Sequence, residues 1–163
     1  MIGYIINSND LAQTLKRNLT LFQTIKVAYD AAIINAGKEA VRLIKQRVQQ
    51  RGESAEGTKL VTGSRSPIGA YGQRQGRARQ ARGLQTRYQD LTFTGEMMRD
   101  FNLISLRNKL LEVGFQDSQQ ADKMEEVEAL HGVDIMTVSD EEEEAAVLKL
   151  EEGVVGILDK LFS

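Results

Sequence analysis

Cysteine is absent from the 163 residues, which excludes disulfides, thiolate nucleophiles and cysteine-ligated metals. Tryptophan is also absent, and there is one histidine and one proline. A lone histidine, His131, excludes a His-Glu-x-x-His pair. It stands just before Gly132, where a helix end would let its ring meet the last carbonyls. No apolar run approaches the roughly 18–20 residues that span a bilayer. The opening MIGYIINSND lacks the basic start and apolar centre of a leader, so a chain made in the cytoplasm, with no membrane partner, is expected. Walker loops, a GxSxG elbow and a GxGxxG behind a strand are missing too. With no set of acid, base and nucleophile in view, the expectation is no catalytic residue, no cofactor and no metal.

Acid is missing from one stretch in particular. Between Arg65 and Tyr88 lie Arg65, Arg74, Arg77, Arg79, Arg82 and Arg87, with no Asp or Glu. Glycines at 69, 72, 76 and 83 and several Gln residues deny it any apolar period. The stretch from about 63 to 90 therefore reads as a long, mobile Arg/Gly-rich arm in a single domain spanning 1–163. Loops beyond about 15 residues usually carry a function or are disordered. Three readings are open for this one: a solvated loop, a phosphate-binding arm whose guanidinium forks meet phosphates, and an arm that lies on an acidic protein surface.

The chain supplies such a surface itself. The net charge of −2 hides a division: residues 1–116 hold 18 Lys and Arg against nine Asp and Glu, net +9, whereas residues 117–163 hold three against 14, net −11. The run Asp140, Glu141, Glu142, Glu143 and Glu144 is the densest part. It lacks the alternating acids and central glycine of a calcium loop, and acids in a first helical turn are favoured by the helix dipole.

Apolar spacing supplies the elements. SNDLAQTLKRNL reads as a short helix capped by Ser8 or Asn9, with Asp10 in its first turn. A second helix is expected from Leu21 to Gln50, with Val27, Ala31, Ile34, Val41, Ile44 and Val48 as its buried stripe. Lys38, Arg42, Lys45 and Arg47 take the other positions, Gly37 allows close packing, and Arg51-Gly52 is the stop. A short strand is expected at Lys59–Thr62. MMRDFNLISLRNKLLEVGF alternates as a β-hairpin turning at Asn108-Lys109. SQQADKMEEVEALHG reads as a helix with Ala121, Met124 and Val127 or Leu130 inward and Gly132 as its cap. VDIMTV is a short strand. The last segment opens on a capping box, Ser139 and Glu142, and presents Ala146, Leu150, Val154, Ile157, Leu158 and Leu161, with Gly153 and Gly156 as places to break or bend. The fold class is α+β: a long N-terminal amphipathic helix packed on a small, mainly antiparallel sheet, with C-terminal helices and the long Arg/Gly-rich loop.

The order of short motifs adds one likeness. RGLQTRYQDLTFTGEMMRDF, a hairpin ending in Val113-Gly114-Phe115, and the passage Ile135-Met136-Thr137-Val138-Ser139-Asp140-Glu141 follow one another over about residues 25–160. With Asp90-Leu91 and Thr94-Gly95-Glu96-Met97, this pattern resembles the tail-completion or head-to-tail joining proteins of tailed bacteriophages, the phage virion-morphogenesis family. Asp134-Ile135-Met136 departs from the more apolar start of that family's closing segment. In physical terms Thr94-Gly95 reads as a tight turn that sets the following strand, Asp90 and Thr94 as partners for local amides, and Gly114 as a bulge or a close approach. The resemblance implies a non-catalytic virion protein of the head–tail neck. It implies a homo-oligomeric ring, a hexamer with a dodecamer as the alternative, beside neighbouring neck, connector and tail-tube or terminator proteins. Double-stranded DNA would pass through the bore with transient contact, after assembly in the host cytoplasm. The rival reading is a nucleic-acid-binding module that uses the same arginines, although no helix-turn-helix, RNP or zinc pattern accompanies them.

Overall fold

One helix, α1 (Ser8–Gln46), is 39 residues long and serves as the axis on which the other elements pack. The computed structural model describes residues 8–61, 67–92 and 94–162. The expected break near residue 20 does not occur. Thr20 and Thr24 turn their hydroxyls back onto the Lys16 and Thr20 carbonyls, 3.0 Å each, and so remain in the helix. The two expected helices are one, and the expected caps at its start lie outside the described side chains. At its other end α1 widens into a π-type turn, Arg47–Arg51, closed by Gly52 in a left-handed conformation where the stop was expected.

The buried stripe of α1 is corrected. Ala32, Ile33, Ala36, Ala40, Val41, Ile44 and Val48 are buried, whereas Ala31 is exposed and Val27 is 70% exposed. The shift has a cause: α1 packs against two partners rather than one. Along one side runs α5 (Asp140–Phe162), antiparallel to it, with Glu142 at Arg47 and Gly153 at Ala32. Along the other lies a hairpin, β3 (Phe101–Arg107) and β4 (Leu110–Phe115). Both approaches need missing side chains. A Cβ on Gly37 would sit 2.8 Å from Leu111 Cδ1, and one on Gly153 2.8 Å from Ala32 Cβ. Neither Gly153 nor Gly156 breaks α5.

The hairpin turns at Asn108 and Lys109, whose φ values of 50° and 65° suit a type I′ turn. Phe101 faces Phe115, their rings 5.2 Å apart edge to face, and Leu103 faces Val113. The register shifts between Leu103 and Ser105, so the irregularity lies on β3 and not at Gly114. The hairpin also starts later than expected. Met97 and its neighbours form a short helix, α3 (Glu96–Asp100), so the Gly95 turn sets a helix and not a strand.

Helix α4 (Ser118–His131) starts on Asp117, whose carboxylate accepts from Gln119 N, and ends on left-handed Gly132. Met124 is buried in it and Val127 is half-buried, while Leu130 is exposed. The strand expected over 133–138 is absent. Its backbone groups are taken by side chains from two helices: Glu128 accepts from Ile135 N and Met136 N, and Arg47 donates to the Ile135 and Thr137 carbonyls. No ladder partner is left for them. Likewise, the strand expected at Lys59–Thr62 reduces to one bridge, Glu53 with Lys59, because Leu60 bonds loop residues Gly52 and Gln89 instead; Thr62 lies outside the described residues. The core joins Val41 and Ile44 of α1 and Val48 of the π-type turn to Leu60, Met98, Phe101, Met124, Ile135 and Met136.

The arginine stretch holds regular structure where a long loop was expected. Strands β1 (Pro67–Ile68) and β2 (Tyr71–Gly72) pair antiparallel and lead into α2 (Gln73–Ala81). The fold is α+β as expected, with its strands in two two-stranded antiparallel sheets.

Candidate functional site: the arginine arm and the acidic helix start

The arm folds around one of its own arginines. Arg79 is 1% exposed, with Nη2 2.6 Å from Asp90 Oδ2 and Nε donating to the Gln85 carbonyl at 2.9 Å. Its guanidinium carbon lies 4.4 Å from the centre of the Tyr71 ring. Asp90 also accepts from the Tyr71 hydroxyl at 3.1 Å, from Gln85 Nε2 at 2.7 Å and from Thr92 N at 3.1 Å. Burial alone would push the Asp90 carboxyl up, but the hydrogen bonds from Gln85 and Thr92 and the Arg79 charge outweigh it and hold the group below its ordinary value. Burial pushes the Tyr71 phenol up to about 12. The arm is tied to the body through Gln89, which bonds Leu60 O, and through Tyr88, whose hydroxyl donates to the Gln49 carbonyl.

This arrangement divides the six arginines. Arg79 is corrected from a contact residue to the buried centre of the arm. Arg74, Arg77, Arg82 and Arg87 are exposed, and Arg65 lies outside the described residues. Arg74 and Arg77 stand one turn apart on α2, with Arg79 and Gly76 facing inward. The turn-forming residues serve different ends. Asp90 is buried and ties the arm, Thr94 Oγ1 lies 3.4 Å from Glu96 N, and Gly95 precedes α3.

The acidic run divides in the same way. Ser139 and Glu142 form the expected capping box, Glu142 Oε2 accepting from Ser139 N at 3.0 Å and Ser139 Oγ from Glu142 N at 3.4 Å. Glu142 is nevertheless corrected as a partner surface. It is 2% exposed, and its carboxylate holds Arg47 Nε at 2.8 Å and Nη2 at 3.2 Å. Asp140, Glu141, Glu143 and Glu144 remain exposed, with Glu141 3.8 Å from Arg51. No ion pair joins Arg74, Arg77 or Arg87 to Asp140, Glu143 or Glu144. These exposed arginines and acids, of opposite sign, therefore do not meet within one copy.

The sequence does not reveal the Arg47–Glu142 pairing, because each residue sits among like residues and their partnership spans 95 positions. The capping-box glutamate was the available signal, since it already fixed the direction of one carboxylate. His131 does not cap carbonyls; its Nε2 lies 2.9 Å from Gln89 Oε1, and burial lowers its proton affinity. Among the described residues no group of three or more His, Asp or Glu could hold a metal ion, and no helix is long and apolar enough to cross a membrane. Comparison with protein-family models, with curated proteins and with solved structures finds no match.

Proposed function

We propose that the chain is a non-catalytic structural subunit of a tailed-phage neck, one copy of a closed ring through which duplex DNA passes. The observation that carries this reading is that Arg74, Arg77 and Arg87 of the arm and Asp140, Glu143 and Glu144 at the start of α5 are exposed and form no ion pair with one another within a copy. Charges that do not meet within a copy are free to meet between copies, and a ring is built from contacts in which one surface meets a different one on the next subunit. The order of motifs from Asp90 to Glu141 supports the phage assignment. Light scattering and electron microscopy across a salt series test the reading: the expected product is a closed ring, and a monomer at every salt concentration overturns it.

The second reading, a nucleic-acid-binding module, is favoured by the exposed, unpaired guanidinium groups of Arg74 and Arg77 on one helix. A steep loss of duplex affinity with salt, in a chain that stays monomeric, would replace the first reading by this one.

A further inference from the structure

Two helix faces in this structure are apolar and uncovered, and they match each other. The core-facing stripe of α1 does not stop where the body stops. Tyr29, Ile33 and Ala36 continue toward the N-terminus at alternating steps of three and four as Lys26, Phe22, Leu19 and Leu15. From residue 12 to 24 every residue is exposed, Phe22 at 71%, so about 20 Å of helix is left largely uncovered, with the end of α5 reaching only as far as Thr24. Helix α5 has the complementary problem. Its inner face packs on α1, yet Leu148, Val155, Leu158 and Phe162 are exposed on the opposite side, Phe162 at 85%. A helix that is apolar on two faces is one that is covered on both.

We propose that the projecting stripe of α1 from one copy docks antiparallel on the outer face of α5 in the next copy. This inference rests on the reading of the chain as an assembling subunit, and it names the joint. The spacing selects both partner and direction. Leu15, Leu19, Phe22 and Lys26 are separated by four, three and four residues; read backwards, Phe162, Leu158, Val155 and Glu151 have the same separations. In that register three apolar pairs stack, and Lys26 meets Glu151. Among the described residues neither Lys26 nor Glu151 has an ion pair. A parallel arrangement puts Glu151 against Leu15 or Phe22. Steps of three and four are those of interlocking helices, and one charged pair at such a seam fixes register. Within one copy α5 already packs antiparallel on α1. The neighbour's α1 repeats that packing on its other side, placing α5 between two copies of the same helix. One face meets a different face, which is the heterologous contact that closes a ring.

The test uses the full chain in roughly 0.5 M salt, where pairing between exposed charges is screened and an apolar joint is not. One variant carries Leu19→Asp and Phe22→Asp, and the other carries Val155→Asp and Leu158→Asp. Each alone is expected to fall from the assembled mass to the 18.2 kDa monomer with unchanged circular dichroism. Each retains one intact face, so mixing them restores a single joint and a dimer of one of each. Because the chain has no cysteine, Phe22→Cys mixed with Val155→Cys gives a second readout. A short thiol cross-linker should join that pair, and should not join Phe22→Cys to Leu148→Cys. The cross-link decides the matter if the aspartate variants fail to fold. Wild-type protein that assembles only at low salt, α5 variants that assemble like wild type, or a mixture that stays monomeric overturns the joint while leaving the subunit reading intact. A wild type that is monomeric at every salt concentration overturns the subunit reading itself.

Discussion

Arg47 directs all five of its N–H groups onto acceptors: two oxygens of Glu142 and the carbonyls of Glu53, Ile135 and Thr137. Arg79 plays the corresponding part in the arm, against Asp90 and Gln85 O. Removing one partner of such a buried pair leaves the other charge uncompensated, at a cost of about 3–5 kcal/mol. The arm's network is also pH-sensitive at both ends. A phenol that ionises near 12 in the folded chain and near 10.0 in the unfolded one stabilises the fold fully below pH 10, and that contribution is lost as pH rises toward 12. Asp90, held below 3.8, contributes above that pH and ceases to as pH falls through its folded value. Urea midpoints should therefore decline between pH 10 and 12. Tyr71→Phe should start about 1–3 kcal/mol less stable, having lost its bonds to Asp90, yet decline less steeply over that range. An unchanged slope would assign the alkaline loss to another group. The sequence marked Asp90 as a partner for a local amide, which Thr92 N is, but not its pairing with Arg79: an arginine among arginines reads as solvated, and only the fold reveals which one has an acid within reach.

At the scale of elements, helices were legible wherever three-and-four spacing or a cap marked them, as at Ser139 and Gly132, whereas the Asp117 cap of α4 was not among the signals read. Faces and partners were less so. Val27 and Val41 sit on the same expected stripe, but only Val41 lies within reach of both the hairpin and the core cluster. VDIMTV alternates like a strand, but alternation cannot supply the ladder that Glu128 and Arg47 pre-empt. The difference between the two valines is measurable. Val41→Asp buries an unpaired charge and should abolish soluble folding, whereas Val27→Asp should change stability by no more than about 0.5 kcal/mol. Thermal melts of both variants decide it, and equal behaviour would show that α1 is seated otherwise.

At the scale of the whole molecule, the division of charge between the two parts of the chain was legible as a count, and the fold turns that count into surfaces. Arg79 and Asp90 tie α2 down so that Arg74 and Arg77 face outward on one short helix. Acid is likewise left exposed at Asp140, Glu143 and Glu144 because Glu142 alone turns inward. Pre-organised cations suit contact with a fixed protein surface, since little side-chain and backbone freedom remains to be lost on docking. Transit of a duplex through a bore instead favours weak contacts, because each phosphate neutralised adds a salt-sensitive increment of affinity. Replacing Arg74, Arg77 and Arg87 together by Gln leaves every buried contact in place, so the fold should survive. Assembly at low salt should weaken, and the salt dependence of assembly should flatten, because the contacts removed are the screened ones. Duplex affinity should change little. Retained low-salt assembly together with a collapse of duplex binding would reverse the assignment and make the arm a nucleic-acid grip. Arg79→Gln separates charge from architecture: by loosening α2 it should expose the arm to trypsin at Arg74 and Arg77, which the wild-type protein should resist.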